Sequence, residues 1–339
     1  MFKSLFLLVV SLLVVVLAIE DARMVVVCHP YGPKGEPVNK WEVIQLTVDG
    51  HLQPLSPPVS FEMGRAFQGQ VAFTPDGRFG FVAQENGTIG EFEILEDGSI
   101  KVLQFALDFD EFFAGSLQVD QEAGVRLFVI DPDWPDSKGG IYSLLINSDD
   151  GSLKLEGQLI KTKSASVLLP LETIAIVEGH STDTTSGDAS DTLLVTWRPG
   201  EKPVEVLQGV KVFPGEDDAI VSSGALSGDE KFAFFADNNQ FSHQPNRLAV
   251  VQVDSFSAAL IPLQILSPFT DPVVVLASPY NNAVLVVCGE GNAAIAIKRD
   301  DANKTAPFKV IGELDYLGNP PQLPSSAVVV PAGCESLHR

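Results

Sequence analysis

The chain predicts an all-β fold, a single β-propeller of four-stranded antiparallel blades, on three observations. One stretch, Gln70 to Phe105 (QVAFTPDGRFGFVAQENGTIGEFEILEDGSIKVLQF), packs four strand-like runs between tight turns. Pro75-Asp76-Gly77-Arg78 and Glu96-Asp97-Gly98-Ser99 are turn tetrads with glycine where φ must be positive, and Asn86-Gly87 marks a further turn. The pattern then recurs with a period of about fifty residues, in the range of propeller blades. A lone meander cannot bury both of its faces, so copies of it must pack against one another.

The repeats are clearest in their first two strands: QVAFTPDGRFGFVA from Gln70, SLQVDQEAGVRLFVID from Ser116, AIVSSGALSGDEKFAFFAD from Ala219 and PVVVLASPYNNAVLVVCG from Pro272. Turns at Asp76-Gly77, Glu122-Gly124, Gly228-Asp229 and Asn281-Asn282 take one common position. An outer hairpin recurs around Asp49-Gly50, Asp97-Gly98 and Asp150-Gly151. Six blades are expected, beginning near residues 24, 70, 116, 167, 219 and 272, with seven as the alternative if one is hidden near the insertion. In the blade from residue 167, the tight first turn is expected to be replaced by an acidic surface loop over 178–191, GHSTDTTSGDASD at its centre. Ser325 to Pro331 reads as an innermost strand, and Met24 onward supplies only three outer strands. The N- and C-terminal strands are therefore expected to close one blade together.

Residues 1–22 read as a signal peptide and 23–339 as the propeller domain. Lys3 gives a positive start, and Leu5 to Ile19 is apolar apart from Ser11. As a helix that run spans only ~22 Å, short of a ~30 Å hydrocarbon core, so stable membrane insertion after cleavage is not expected. The expectation is an exported protein, periplasmic or extracellular. A formal net charge of −22 repels phosphate backbones, which argues against nucleic acid as a partner. Cys28, Cys288 and Cys334 have no metal-ligand spacing and make at most one disulfide; Cys28 and Cys288 end similar apolar runs and read as buried thiols. No phosphate loop, nucleophile elbow, zinc signature or paired-cysteine motif is present.

The TPDGRFGFVAQENGTIGEFEI segment, with its DDGSL-type outer turns, resembles the lactonase-type propellers, the superfamily of phosphogluconolactonase-like proteins and surface-layer YVTN repeats. That resemblance implies hydrolase or isomerase members with a histidine just before the PDG strand and arginines around the central channel. Here Gly69-Gln70 stands at the histidine position.

Aligned by second strands, the units place His29, Gln84, Asp131, Arg198 and Asp237 at one position, with Glu290 one residue further along. In a propeller these exits open on one face around the channel, so the six are the candidate ligand-binding ring. The run Asp131-Pro132-Asp133-Trp134-Pro135-Asp136 offers Asp131, Asp133 and Asp136 as oxygen ligands for Ca²⁺. No other cofactor is called for. The exits from His29 to Lys40, Asp131 to Gly139 and Asp237 to Asn246 are long and suit a pocket wall or a partner-binding rim, with Trp41 and Trp134 in or beside them. Two functions remain open. One is an exported, monomeric module that binds a small polar ligand or another exported protein without catalysis, motivated by the missing histidine. The other is a lactonase-type hydrolase acting on a small lactone or sugar derivative at the channel.

Overall fold

The computed structural model describes residues 23–29, 39–46, 52–54, 59–61, 71–84, 86–95, 97–120, 124–132, 138–180, 191–198, 204–213, 221–238, 246–270, 272–277, 283–288, 293–300 and 302–315. These contain strands and turns, with no helix among them, and the strands form six antiparallel sheets. The first sheet holds β1 (Arg23–His29), β2 (Asn39–Leu46), β3 (Leu52–Pro54) and β4 (Val59–Phe61). The second holds β5 (Val71–Phe73), β6 (Phe79–Ala83), β7 (Ile89–Ile94) and β8 (Ile100–Leu107); the third holds β9 (Ser116–Val119), β10 (Arg126–Asp131), β11 (Gly140–Ile146) and β12 (Leu153–Ile160). The fourth comprises β13 (Lys163–Pro170), β14 (Ile174–His180), β15 (Thr192–Thr196) and β16 (Val206–Val210). β17 (Val221–Leu226), β18 (Phe232–Asp237), β19 (Asn246–Asp254) and β20 (Ala259–Phe269) make the fifth, and β21 (Pro272–Ala277), β22 (Ala283–Cys288), β23 (Ala293–Arg299) and β24 (Phe308–Asp315) the sixth. From the second sheet to the sixth, each strand pairs with the next in sequence, so each sheet is one meander.

Packing turns these meanders into a propeller. Side chains alternate along a strand, so each sheet offers one residue set to the sheet before it and another to the sheet after it. In β10, Leu127 and Val129 join Phe79, Phe81 and Ala83 of the second sheet in one core cluster. Phe128 and Ile130, from the opposite face, join Ala175 and Val177 of the fourth. The same exchange links the fourth sheet to the fifth and the fifth to the sixth. First strands of successive sheets touch in series, β5 with β9, β9 with β13, β13 with β17 and β17 with β21, which is the arrangement of blades about an axis. Both faces of a central strand are therefore apolar, and β6 is buried throughout.

Turn chemistry repeats with the sheets. Between β5 and β6 the Thr74 hydroxyl donates to Asp76 (2.5 Å) and accepts from Phe79 N–H (3.0 Å), while Gly77 N–H donates to Thr74 C=O (2.8 Å). Ser227 repeats each contact between β17 and β18, to Asp229 (2.7 Å), Phe232 (3.0 Å) and Glu230 (2.8 Å). The left-handed position is Gly77 (φ +70°) in one copy and Glu230 (φ +55°) in the other. Glycine relieves the Cβ clash there, and Glu230 shows that side-chain caps hold the turn without it.

Close packing also fixes Gly80 on β6. A Cβ there would lie 2.2 Å from the ring of Phe92, which is fully buried and sits edge-on to Phe73 with centroids 5.7 Å apart. Gly80→Ala is expected to lower stability by about 2 kcal/mol through overpacking, read as a lower urea midpoint at unchanged slope.

One expectation is corrected. The fourth sheet keeps a tight first turn, Leu171-Glu172-Thr173 between β13 and β14, closed by Leu171 N–H donating to Ile174 C=O (2.8 Å). The acidic insertion instead joins β14 to β15, the second and third strands, and residues 181–190 lie outside the described residues. In the first sheet, β3 and β4 both pair with β2, so they share the rank beyond it. The signal segment 1–22 and the closing strand Ser325 to Pro331 lie outside the described residues, as does Cys334. Among the described residues no helix is long and apolar enough to cross a membrane.

Candidate functional site

The ends of the second strands of the second, third and fifth sheets, and the end of β1 in the first, carry the candidate residues. His29 ends β1 opposite Lys40, Gln84 follows β6, Asp131 ends β10 opposite Gly140, and Asp237 ends β18 opposite Arg247. Gln84, Asp131 and Asp237 are all buried, at 0%, 0% and 1% exposure. Glu290 lies outside the described residues, where the sixth sheet offers buried Cys288 at the end of β22. Arg198 does not belong to this set. It follows β15, a third strand, and Trp197 N–H donates to Thr173 C=O (2.8 Å) in the first turn, which places Arg198 at the opposite end of the sheet and exposed. Trp197 is buried edge-on against Phe128, centroids 4.8 Å apart.

With the fourth sheet in its true register, Gly179 takes the position of Gln84, Asp131 and Asp237, and Glu178 precedes it on the other face of the second strand. Ile174, Ile176 and Glu178 share one face of β14; Ala233, Phe235 and Asp237 share one face of β18. The apolar members of both sets lie in one cluster, so Glu178 and Asp237 end the same wedge between the fourth and fifth sheets. Asp237 Oδ2 accepts from Arg247 at 2.7 Å and 3.1 Å, and the guanidinium lies over the Phe213 ring at 5.1 Å. Asp191 closes the outer side: its carboxylate accepts from Val212 N–H (2.7 Å) and Phe213 N–H (3.1 Å), fixing the ring on which Arg247 rests. Glu178 is 3% exposed and accepts from the Ser166 hydroxyl at 2.5 Å. Burial raises its carboxyl well above the ordinary range; the Ser166 hydrogen bond opposes this, and the charges of Asp191 and Asp237 add to it. The corner thus couples a proton-retaining acid to an ion-paired carboxylate and an arginine.

A second polar wedge lies between the second and third sheets. Leu127, Val129 and Asp131 share the face of β10 that meets the second sheet. Asp131 Oδ2 accepts from Gly139 N–H at 3.0 Å. Tyr142, on β11 and 2% exposed, has a hydroxyl with no hydrogen-bond partner. Burial, then the charges of Asp131 and Glu111, push that phenol up to about 12. Phe112 packs on the Tyr142 ring with centroids 5.1 Å apart, and Phe109 stacks on Phe112 at 5.1 Å. Gln84 faces the first sheet's side. Its Nε2 donates to Phe105 C=O (2.6 Å) and Thr88 Oγ1 (3.2 Å), leaving Oε1 without a partner.

For calcium, Asp133 and Asp136 lie outside the described residues. Among the described residues no three His, Cys, Asp or Glu side chains group as metal ligands. Sequence reasoning missed Glu178 and Tyr142. The signal for Glu178 was a carboxylate ending the apolar run IAIV, one residue before Gly179, which is the position equivalent to Gln84, Asp131 and Asp237 once Leu171 to Thr173 is taken as the turn. Tyr142 carries no local signal, because its isolation comes from the neighbouring sheet.

No family model matches the chain, and no curated protein matches it in sequence. Solved structures do match in fold. The periplasmic gluconolactonase of Pseudomonas aeruginosa superposes with a TM-score of 0.66 at 17% identity, over 86% of this chain and 82% of that one. A putative 6-phosphogluconolactonase from Bacteroides uniformis gives a TM-score of 0.64 at 15% identity, over 86% and 82%. Another, from Bacteroides fragilis, gives 0.53 at 13% identity, over 87% and 95%. The chain therefore has the fold of the lactonase-type β-propellers.

Proposed function

We propose that this chain is an exported hydrolase of small sugar lactones, and that the corner between the fourth and fifth sheets holds its proton donor. The observation that carries this reading is Glu178, buried beside Asp191 and Asp237 and therefore retaining its proton further up the pH scale than an ordinary carboxyl. The fold shared with proteins described as gluconolactonase and putative 6-phosphogluconolactonase supports it, and the periplasmic location of one of them supports export. Lactone opening adds water to the carbonyl carbon and breaks the bond to the ring oxygen, which leaves as an alkoxide and needs a proton. Glu178 supplies that proton, and the proton released by the attacking water restores the acid. Arg247, held by Asp237 and Phe213, provides positive charge for the carbonyl oxygen as it becomes negative. This arrangement does the work of acid and clamp without the histidine that Gly69-Gln70 displaces.

The test is acid release from D-glucono-1,5-lactone by the purified full-length chain. Glu178→Gln is expected to lower kcat about 100-fold with KM little changed, since an amide keeps the hydrogen bond to Ser166 and cannot give up a proton. Wild-type turnover no faster than the uncatalysed reaction, or equal turnover by the variant, overturns the proposal.

A further inference from the structure

The connection from β23 to β24 carries Asn303-Lys304-Thr305, an asparagine followed two residues later by a hydroxyl, and the β6–β7 turn carries a second such triplet, Asn86-Gly87-Thr88. In an exported protein that spacing is the acceptor signal for N-linked glycan, with the hydroxyl set beside the amide that takes the sugar. Both triplets have the local geometry: Thr305 Oγ1 donates to Asn303 Oδ1 at 3.2 Å, and Thr88 Oγ1 to Asn86 Oδ1 at 2.8 Å. Their surroundings separate them. Thr88 is buried, its Oγ1 also accepts from Nε2 of buried Gln84, and Gly87 is so close to Phe113 that a Cβ there would lie 2.5 Å from the ring. A transferase cannot reach that hydroxyl in the folded chain. Ala302, Asn303, Lys304 and Thr305, by contrast, are all exposed. Asn303 Oδ1 also accepts from Thr305 N–H (3.3 Å) and Ala306 N–H (3.1 Å), so the oxygen shapes the turn. Nδ2 makes no hydrogen bond among the described residues and can carry a substituent without undoing those contacts. Transferases of the bacterial periplasm further require an acid two residues before the asparagine; Asp301 stands there for Asn303, and Gln84 for Asn86. The strand that follows, β24, is the outermost of its sheet and exposes Val310 and Ile311, so a glycan at its head would shield an apolar edge.

We propose that Asn303 is a site of N-linked glycosylation. The donor is an oligosaccharide carried on a polyprenyl pyrophosphate, and the catalyst is a membrane transferase of the export compartment. Asn303 Nδ2 bonds to the anomeric carbon and loses one proton; the bond from that carbon to the pyrophosphate oxygen breaks, and the lipid pyrophosphate leaves with the electron pair. The inference rests on the export half of the function proposed above and does not require hydrolysis at the Glu178 corner.

Expression of the full-length chain with its own leader in a eukaryotic secretory host, with recovery from both medium and cells, tests it. The secreted chain is expected to carry glycan on Asn303. Release by peptide-N-glycosidase turns a glycan-bearing asparagine into aspartate, which peptide mass spectrometry places in the sequence. Thr305→Ala is expected to abolish the modification and Thr305→Ser to retain it, since serine keeps the hydroxyl. Thr305→Ala also keeps both N–H bonds to Asn303 Oδ1, so it is expected to be secreted as the wild type is, and loss of the sugar cannot be put down to misfolding. A secreted chain with bare Asn303, or with glycan on Asn86 alone, overturns the proposal and leaves export standing. Glycan retained in Thr305→Ala overturns it too. A chain held inside the cell without glycan overturns it together with export.

Discussion

Replacing Arg247 by Met is expected to destabilise the protein by about 3 kcal/mol or more, because it leaves a buried carboxylate without its counter-ion. Asp237 is 1% exposed, and Arg247 meets it through two nitrogens at 2.7 Å and 3.1 Å. Methionine keeps most of the stem that packs beside Phe213 and removes the charge, so the loss is electrostatic rather than a cavity effect. Asp237→Asn in the Arg247→Met background is expected to recover much of the stability. Denaturant unfolding of the two single variants and the double variant gives the coupling directly. Additive single-variant losses, with no recovery in the double variant, would show that Arg247 is not what stabilises the buried Asp237 charge at this end of the fifth sheet. The same cycle bears on the proposed chemistry, since the charge on Asp237 is one of those that keep a proton on Glu178.

Repetition made the fold legible. TPDGRF and SGDEKF close the same turn with the same side-chain bonds, so reading either one located its sheet. In the outer hairpins, Asp97 accepts from both the Ser99 N–H and hydroxyl, and Asp150 does the same with Ser152; the D-G-S triplet identifies both. The fourth sheet broke the pattern at Leu171-Glu172-Thr173, which carries no glycine, proline, asparagine or aspartate. Its turn is held by backbone bonds, Leu171 N–H to Ile174 C=O and Trp197 N–H to Thr173 C=O, and by packing of Leu171, so composition pointed to the acidic insertion instead. That single slip put Arg198 in the ring, at the position that Gly179 holds, and passed over Glu178 beside it.

The site was legible as position and not as environment. Gln84, Asp131 and Asp237 stand at second-strand ends as the alignment has them, but strand exits suggested solvated loop residues, and these three are buried. Burial here comes from the adjacent sheet closing over the strand end, a contact between residues far apart in sequence that no local pattern encodes. The same holds for Tyr142, whose unpartnered hydroxyl depends on where two neighbouring carboxylates come to rest.

Glu91 follows from this logic too, and it makes stability fall as pH rises toward neutrality. It shares a face of β7 with Ile89, which belongs to the core between the second and third sheets; it is 2% exposed, and its Oε1 has no partner. Burial, then the charge of Asp150 in the β11–β12 turn, raises its carboxyl from 4.5 to about 7. The Ser152 hydroxyl and N–H hold Asp150 below the usual range, so that charge is present throughout the interval. Glu93, two residues on, is satisfied by Arg78 and Lys101 and does not compensate Glu91. Between pH 4.5 and about 7 the folded chain keeps a proton that the unfolded chain has released. Stability is therefore fully present below the lower value and is lost as pH rises through the upper one. At about 1.4 kcal/mol per pH unit the loss approaches about 3 kcal/mol. Glu178 contributes in the same direction, so the comparison is between wild type and Glu91→Gln across the whole interval. The wild-type melting temperature is expected to drop roughly 5 °C more than that of the variant between pH 4.5 and 8. Parallel curves would show that the Glu91 carboxyl ionises in the folded protein as it does in the unfolded chain, and that the second and third sheets admit water where β7 meets the hairpin.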